Sequence, residues 1–127
     1  MAIDTTELDQ LIIGRVEPHI YAFSTNTIPN YLKVGDTYRP VSERLAEWEK
    51  FFPHLKKQFE GSAKINDEVY FRDFAVHQYL ETIKGRRRLQ LSDLAEGIYY
   101  SREFFNEATS DDVKEAIEDI ESDYEAK

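Results

Sequence analysis

Alternating apolar and polar positions near the start of the chain predict a β-hairpin. Residues 20–25 are rich in aromatic and β-branched side chains, which favours a half-buried strand. Residues 26–30 then supply turn chemistry, because Asn hydrogen-bonds its own backbone and Pro29 fixes its backbone angle. Residues 31–37 predict the second strand, and Gly35 near its end permits a bulge or a close approach of the backbone to a group such as a phosphate.

A helical repeat of apolar positions follows the hairpin. Pro40 suits the first turn of a helix, Val41, Leu45 and Trp48 recur at helical spacing, and Pro53 ends the segment. If this helix packs across the hairpin, side chains from its first turns approach those of both strands.

The pattern beyond this helix predicts one more strand and two more helices. Residues 58–65 predict a weaker strand, because a Gly and a Ser interrupt it. Residues 69–84 predict a second helix that Gly85 ends, with an apolar stripe of Phe71, Phe74, Ala75, Tyr79, Leu80 and Ile83. Residues 89–94 begin a short helix or a loop. Ser110 predicts the N-cap of a last helix, whose first-turn acids complement the helix dipole.

These elements predict an α/β fold of the α+β kind, with a small antiparallel three-stranded sheet flanked by helices. Residues 1–105 form the predicted domain, and residues 106–127 form an acidic amphipathic helix that either packs on it or leads into a further domain. A length of 127 residues, 41% hydrophobic and 13% aromatic, supports a single core.

Composition also excludes several classes of site. The absence of cysteine excludes a disulfide framework, a thiolate metal site and a catalytic Cys. No apolar run approaches the roughly 20 residues of a membrane span. The N-terminal sequence MAIDTTELDQLIIGR is too acidic and too briefly apolar for a signal peptide, so we expect no membrane partner and a cytoplasmic location.

A net charge of −9 argues against nucleic-acid binding, but the charge is unevenly distributed. Residues 106–127 hold nine acids and two lysines, a net −7, so the first 105 residues carry only −2. Phosphate contacts need Lys and Arg. Candidate nucleic-acid contacts are Gly35, Arg39, Lys84, Arg86, Arg87 and Arg88. The alternative is that the basic clusters are simply a solvated face.

The run from residue 20 to residue 44 resembles the front half of a GIY-YIG nuclease domain, and the resemblance covers roughly residues 16–105. Tyr21 closes a reduced first motif, and Lys33-Val34-Gly35 matches the second motif with Lys in place of Tyr, as restriction-enzyme and phage-type branches allow. Arg44 matches the Arg of the first helix. Residues 101–105, Ser-Arg-Glu-Phe-Phe, resemble the Glu-aromatic-Phe signature that often closes such domains.

The resemblance implies roles for these side chains in phosphodiester hydrolysis. Tyr21, with Lys33 beside it, would orient or deprotonate the attacking water, and Arg44 would hold the scissile phosphate through its planar fork. A carboxylate on the second helix would bind Mg²⁺ or Mn²⁺, hard ions that prefer oxygen ligands.

The second helix departs from the family pattern. Family members usually carry Glu, three residues and then His, whereas here His77 precedes Glu81. Because positions i and i+4 share a helical face, the pair still presents both chemistries to one site. The resemblance therefore implies Glu81 as the metal ligand, with His77 catalytic beside it, and Glu103 as the second choice. The alternative is that the metal ligand has been lost.

Each candidate also has a purely structural interpretation. Tyr21 is then a packing residue, Lys33 an edge charge, Arg44 a surface helix charge, and His77 with Glu81 an exposed helical pair. The functional interpretation depends on the conjunction of Tyr21, Lys33, Gly35 and Arg44 in order on the expected elements.

The resemblance implies a metal-dependent DNA endonuclease domain from a restriction, phage-defence or mobile-element context. DNA would bind weakly to the isolated domain, and a fused or associated helicase or DNA-binding domain is an expected partner. One alternative is a catalytically degenerate module that binds nucleic acid or a partner subunit without cleavage. A second is an interaction domain whose acidic last helix docks a basic protein.

Overall fold

A four-stranded antiparallel sheet organises the chain in the computed structural model, which describes residues 17–66 and 69–126. The strands are β1 (His19–Ser24), β2 (Tyr31–Thr37), β3 (Lys56–Ser62) and β4 (Phe104–Asn106), in the spatial order β3-β1-β2-β4. The helices are α1 (Val41–Trp48), α2 (Asp73–Thr82) and α3 (Ser110–Ala126), and a 3-10 turn covers Leu91–Asp93. The N-terminal segment on which the signal-peptide expectation rests lies outside the described residues.

The α+β class and the antiparallel sheet agree with the sequence, but the count of three strands is wrong. The fourth strand, β4, pairs with the start of β2, with Tyr31 opposite Asn106 and Lys33 opposite Phe104. It has only three residues, which is too short for an alternating pattern to reveal it. Its pairing depends on contacts between residues far apart in sequence.

Helices cover both faces of the sheet, so the four central residues of β1 are all buried, whereas the sequence predicted a half-buried strand. One face, with α2 and α3, packs around Ile20, Ala22, Val34, Val76, Leu80 and Val113. The other face, with α1, packs around Tyr21, Phe23, Trp48, Phe52, Leu89 and Phe104. A strand covered on both sides carries apolar side chains at successive positions rather than at alternate ones.

Helix α2 differs from the predicted stripe. Its buried residues are Val76, His77 and Leu80, whereas Phe74 and Ile83 are exposed. The helix is also shorter than residues 69–84, since Tyr70 makes an isolated bridge to Lys64 before the helix starts. The face turned to the sheet therefore includes a histidine that the apolar pattern did not contain.

Helix α3 begins one residue earlier than predicted, with Thr109 rather than Ser110 as its cap. The Asp112 backbone N–H donates to Thr109 Oγ1 at 3.2 Å, and the Thr109 N–H donates to Asp112 Oδ2 at 3.0 Å. This reciprocal pair is a capping box. Both helices α2 and α3 pack on the same face, so α3 belongs to the domain core rather than standing apart from it.

Candidate active site

Tyr21 and Lys33 place their functional groups above Gly35. The β1–β2 register sets Gly35 opposite Tyr21, and Lys33 precedes Gly35 by two residues on the same face of β2. A Cβ atom at position 35 would lie 2.6 Å from Tyr21 Oη and 3.0 Å from Lys33 Nζ. Gly35 therefore leaves room for a phenol and an ammonium to meet over one strand residue.

Helix α1 adds an indole and a guanidinium to the same point. The Trp48 Nε1–H donates to Tyr21 Oη at 2.7 Å. Lys33 Nζ lies 4.4 Å from the centroid of the Trp48 ring, and Arg44 Cζ lies 4.8 Å from it. Burial lowers the pKa of Arg44, but hydrogen bonds to Glu47 and Tyr21 outweigh that effect and leave the pKa raised. The structure thus brings Tyr21, Lys33 and Arg44 together around Trp48.

The Lys33 ammonium also contacts a carboxylate from the segment before β4. Lys33 is completely buried, and its Nζ donates to Glu103 Oε1 at 2.6 Å. The Glu103 backbone carbonyl accepts from the Val34 N–H at 3.0 Å, which holds Glu103 beside β2 just before β4 begins. The closing Glu-Phe-Phe segment therefore supplies the counter-charge for the buried lysine.

Glu103 is in turn one member of a cluster of possible metal ligands. Asp73 and His77 on α2 join it, and one ligand atom from each of the three side chains lies within 4.8 Å of the others. The two carboxylates are oxygen donors that suit a hard divalent cation, and the imidazole can add a nitrogen donor only through Nδ1. Asp73 and Glu103 are partly buried and His77 is buried.

Asp36 positions the start of α2 at this cluster. Its carboxylate accepts from the Asp73 backbone N–H at 2.9 Å and from Arg72 Nε at 2.7 Å. The carboxylate from β2 therefore satisfies a free N–H of the first turn and complements the helix dipole. This contact fixes the end of α2 that carries Asp73 against the same strand that carries Lys33.

The pKa values of the two carboxylates in the cluster shift in opposite directions. Burial, together with the nearby charges of Asp36 and Glu103, raises the pKa of Asp73 to about 7. Burial raises the pKa of Glu103 too, but the Lys33 ammonium outweighs it, so the pKa of Glu103 is lowered. Asp73 is therefore protonated below about pH 7, where its carboxyl group can donate a hydrogen bond to an ionised Glu103.

His77 is held as a neutral imidazole. Burial lowers its pKa, and its Nε2 lies 2.7 Å from the Val34 carbonyl oxygen. Because a carbonyl oxygen can only accept, Nε2 carries the proton and Nδ1 carries the lone pair. Asp73 Oδ2 lies 3.9 Å from the same Nε2, one helical turn earlier.

Glu81, the predicted metal ligand, lies outside this cluster. It is exposed, and its Oε1 lies 2.8 Å from Arg88 Nε in a salt bridge. The residue that joins His77 is Asp73, four positions before it rather than four after it. Glu103, the second choice, is a member of the cluster.

Asp73 was missed although the sequence held a signal for it. The family pattern asks for an acid, three residues and then His, and Asp73 to His77 has that order with Asp in place of Glu. His77 thus has an acid at the same spacing on both sides, and the structure brings Asp73 rather than Glu81 into the cluster with it.

The predicted basic contacts with nucleic acid are all paired with acids. Arg39 bonds Glu47 at 2.7 Å, and Arg87 bonds Asp93 at 2.9 Å. The remaining pairs are Lys84 with Glu115, Arg86 with Asp112, and Arg88 with Glu81. Helix α3 thus neutralises two cations of the cluster, which weakens the attraction of that surface for phosphate.

Comparison with known proteins adds no assignment, since no family model, curated protein or solved structure matches the chain. Within the described part of the chain, no helix combines the length and the apolar character that crossing a membrane requires.

Proposed function

We propose that the chain is a GIY-YIG-like nuclease domain that hydrolyses a phosphodiester bond with the help of a divalent cation. The proposal is carried by one observation: the Lys33 ammonium contacts Glu103, and so joins the Tyr21 and Arg44 group to the Asp73, His77 and Glu103 cluster. General base, phosphate-binding cation and metal ligands are the three parts that such a hydrolysis needs.

Each residue has a distinct role in the proposal. Tyr21 orients the attacking water and, once its own phenol proton has passed to solvent, the phenolate accepts a proton from that water and returns to the phenol. Arg44 holds two oxygens of the scissile phosphate. Lys33 supplies positive charge beside Tyr21. Asp73 and Glu103 hold Mg²⁺ or Mn²⁺, which when bound would neutralise charge on the phosphate and the leaving oxygen.

The charge balance of the cluster supports a cation there. Asp73 and Glu103 bring two carboxylates to His77, and among the described residues Lys33 is the cation that forms an ion pair with Glu103. Burial raises the pKa of Asp73, and the nearby carboxylates of Asp36 and Glu103 raise it further. A divalent cation would replace the proton that Asp73 retains, because metal binding requires a deprotonated ligand.

Nicking of supercoiled plasmid at low salt, with Mg²⁺ or Mn²⁺, tests the proposal. We expect the wild-type protein to nick the plasmid. Tyr21→Phe, Arg44→Ala and Asp73→Asn should each lower the nicking rate at least about a hundred-fold, which is the low end of the range for removal of a catalytic group. Glu81→Gln is the matched control: it removes an α2 carboxylate that lies outside the cluster, and nicking should persist. Loss of nicking in Glu81→Gln with retention in Asp73→Asn would contradict this ligand set.

A second candidate function is a module of the same fold that binds nucleic acid or a partner subunit without cutting. The observation that favours it is burial, since Tyr21 is 1% exposed and its hydroxyl is engaged by Trp48. A phenol in that state reaches a phosphate only if the Trp48 contact opens. Binding that is equal in Mg²⁺ and in EDTA, with no nicking at high protein concentration, would select this function.

A further inference from the structure

A stacked aromatic pair extends the candidate site to the surface of the domain. Phe51 follows α1, and Tyr99 lies in the loop before β4. Their ring centroids are 4.2 Å apart with an interplanar angle of 28°. They are 47% and 45% exposed, so each ring keeps about half of its surface in water.

The pair is continuous with the cations of the site. Trp48 lies 6.3 Å from Phe51 and 6.0 Å from Tyr99, measured between ring centroids. The same indole is flanked by Lys33 and Arg44. A phosphate held by Arg44 would therefore lie on one side of the Trp48 ring, with the exposed rings of Phe51 and Tyr99 next to Trp48.

We propose that Phe51 and Tyr99 form a stacking platform for an unpaired nucleobase adjacent to the scissile phosphate. This inference rests on the proposed function, and it specifies the substrate class as single-stranded nucleic acid or an unpaired nucleotide at a junction. Every base has a π-face, so stacking on aromatic side chains is tolerant of sequence.

The charge of the domain favours the same substrate. The net charge is −9, and the cations of the Lys84 to Arg88 cluster are engaged by acids. Duplex binding depends mainly on phosphate contacts, which this surface supplies poorly. Stacking adds affinity without adding positive charge, and only an unpaired base exposes its face to a side chain.

The test is binding of short labelled oligonucleotides in EDTA at low salt, followed by fluorescence anisotropy. The probes are a single strand, a blunt duplex of the same length, and an abasic strand of the same length and charge. We expect the single strand to bind about ten-fold more tightly than either other probe, which is the scale of one stacked base.

Substitutions test whether Phe51 and Tyr99 cause the preference for the base-bearing strand. Phe51→Leu and Tyr99→Leu should each remove most of the preference for the base-bearing strand, whereas Tyr99→Phe keeps the ring and should retain it. Tyr124→Leu is the matched control, because Tyr124 is also 45% exposed but lies near the end of α3. Thermal unfolding of each variant confirms that the fold is intact.

The outcomes separate this inference from the proposed function. Equal binding of abasic and base-bearing strands, or a base preference that survives both Leu substitutions, overturns the platform even if the chain nicks plasmid. A base preference that depends on Phe51 and Tyr99 supports the platform even if no nicking is found, and then assigns it to a non-cutting module.

Discussion

The ammonium of Lys33 lies 2.6 Å from the carboxylate of Glu103, a residue 70 positions further along the chain. The Lys33 side chain is fully buried, whereas that of Glu103 keeps 33% of its surface in water. The Trp48 and Tyr21 rings, which carry no net charge, also lie next to the ammonium. Glu103 therefore supplies the compensating charge that makes a buried lysine tolerable in this core.

Removing that carboxylate should destabilise the fold. We expect Glu103→Gln to lower the free energy of unfolding by about 2–3 kcal/mol, less than for a fully buried pair because Glu103 is partly solvated. Lys33→Met in the Glu103→Gln background should recover part of the loss, since no buried charge then remains unpaired. Urea unfolding of the two single variants and the double variant measures both effects.

The control for this ion pair is Glu81→Gln, which removes an exposed carboxylate from the surface pair with Arg88. Its effect should stay within about 0.5 kcal/mol, as for other surface pairs. Equal effects of Glu103→Gln and Glu81→Gln would contradict the special role of the Lys33 contact.

The raised pKa of Asp73 makes stability depend on pH. The unfolded chain releases this proton near pH 3.8, the ordinary value, whereas the folded chain keeps it up to about 7. Between those values the folded state binds more protons, so the contribution of Asp73 to stability falls as the pH rises. Above pH 7 the penalty for a buried carboxylate is present in full.

Asp73→Asn removes this titration. We expect the variant to be more stable than wild type at pH 8 by about 1–2 kcal/mol, a figure reduced for partial exposure, and the difference to shrink toward pH 4. Thermal unfolding across that pH range checks the slope, with Asp119→Asn, an exposed α3 substitution, as the control. A constant difference between wild type and Asp73→Asn at every pH would refute the assignment of the raised pKa.

Two adjacent residues with hydroxyl side chains have different roles at the start of α3. Thr109 exchanges hydrogen bonds with Asp112, while Ser110 is the first residue of the helix. Thr109→Ala should therefore cost about 1 kcal/mol, the usual value for a lost N-cap, and Ser110→Ala should be near neutral. The denaturant midpoints of the two variants measure both effects. A larger loss in Ser110→Ala than in Thr109→Ala would mean that Ser110 is the cap, as predicted from the sequence.

The elements that a short, local sequence pattern specifies could be predicted from the sequence. The β1–β2 hairpin and α1 lie close to their predicted positions, because turn residues and helical spacing act over short stretches. Strand β4 could not be found in this way. Three residues carry no period, and the pairing of Phe104 with Lys33 spans most of the chain.

The candidate site also combines residues that lie on neighbouring elements with residues that only the tertiary fold brings together. The sequence predicts that Tyr21, Lys33 and Arg44 lie close together, because they are on one hairpin and the helix that follows it. The sequence alone does not choose between Asp73 and Glu81 as the partner of His77, because both acids lie four positions from it. The ion pair between Lys33 and Glu103 is a tertiary contact, and no local pattern in the sequence indicates it.

Gly35 offers a test of how tightly the site is packed. A Cβ there would lie 2.6 Å from Tyr21 Oη and 2.8 Å from Tyr21 Cζ, and Tyr21 is buried among other rings. Gly35→Ala must therefore displace a buried tyrosine, and we expect a loss of about 1–3 kcal/mol in the free energy of unfolding, as for other overpacked cores. Urea unfolding measures the loss.

Gly61→Ala is the matched control for this substitution. Its Cβ would lie 2.9 Å from Phe59 Cζ, but both residues are on edge strand β3 and the Phe59 ring is only partly buried. The ring can move aside, so we expect a smaller loss than at Gly35. Adding Tyr21→Phe to Gly35→Ala removes the closest contact and should cost less than the sum of the two single changes. Strict additivity would mean that Gly35 does not make room for the Tyr21 hydroxyl.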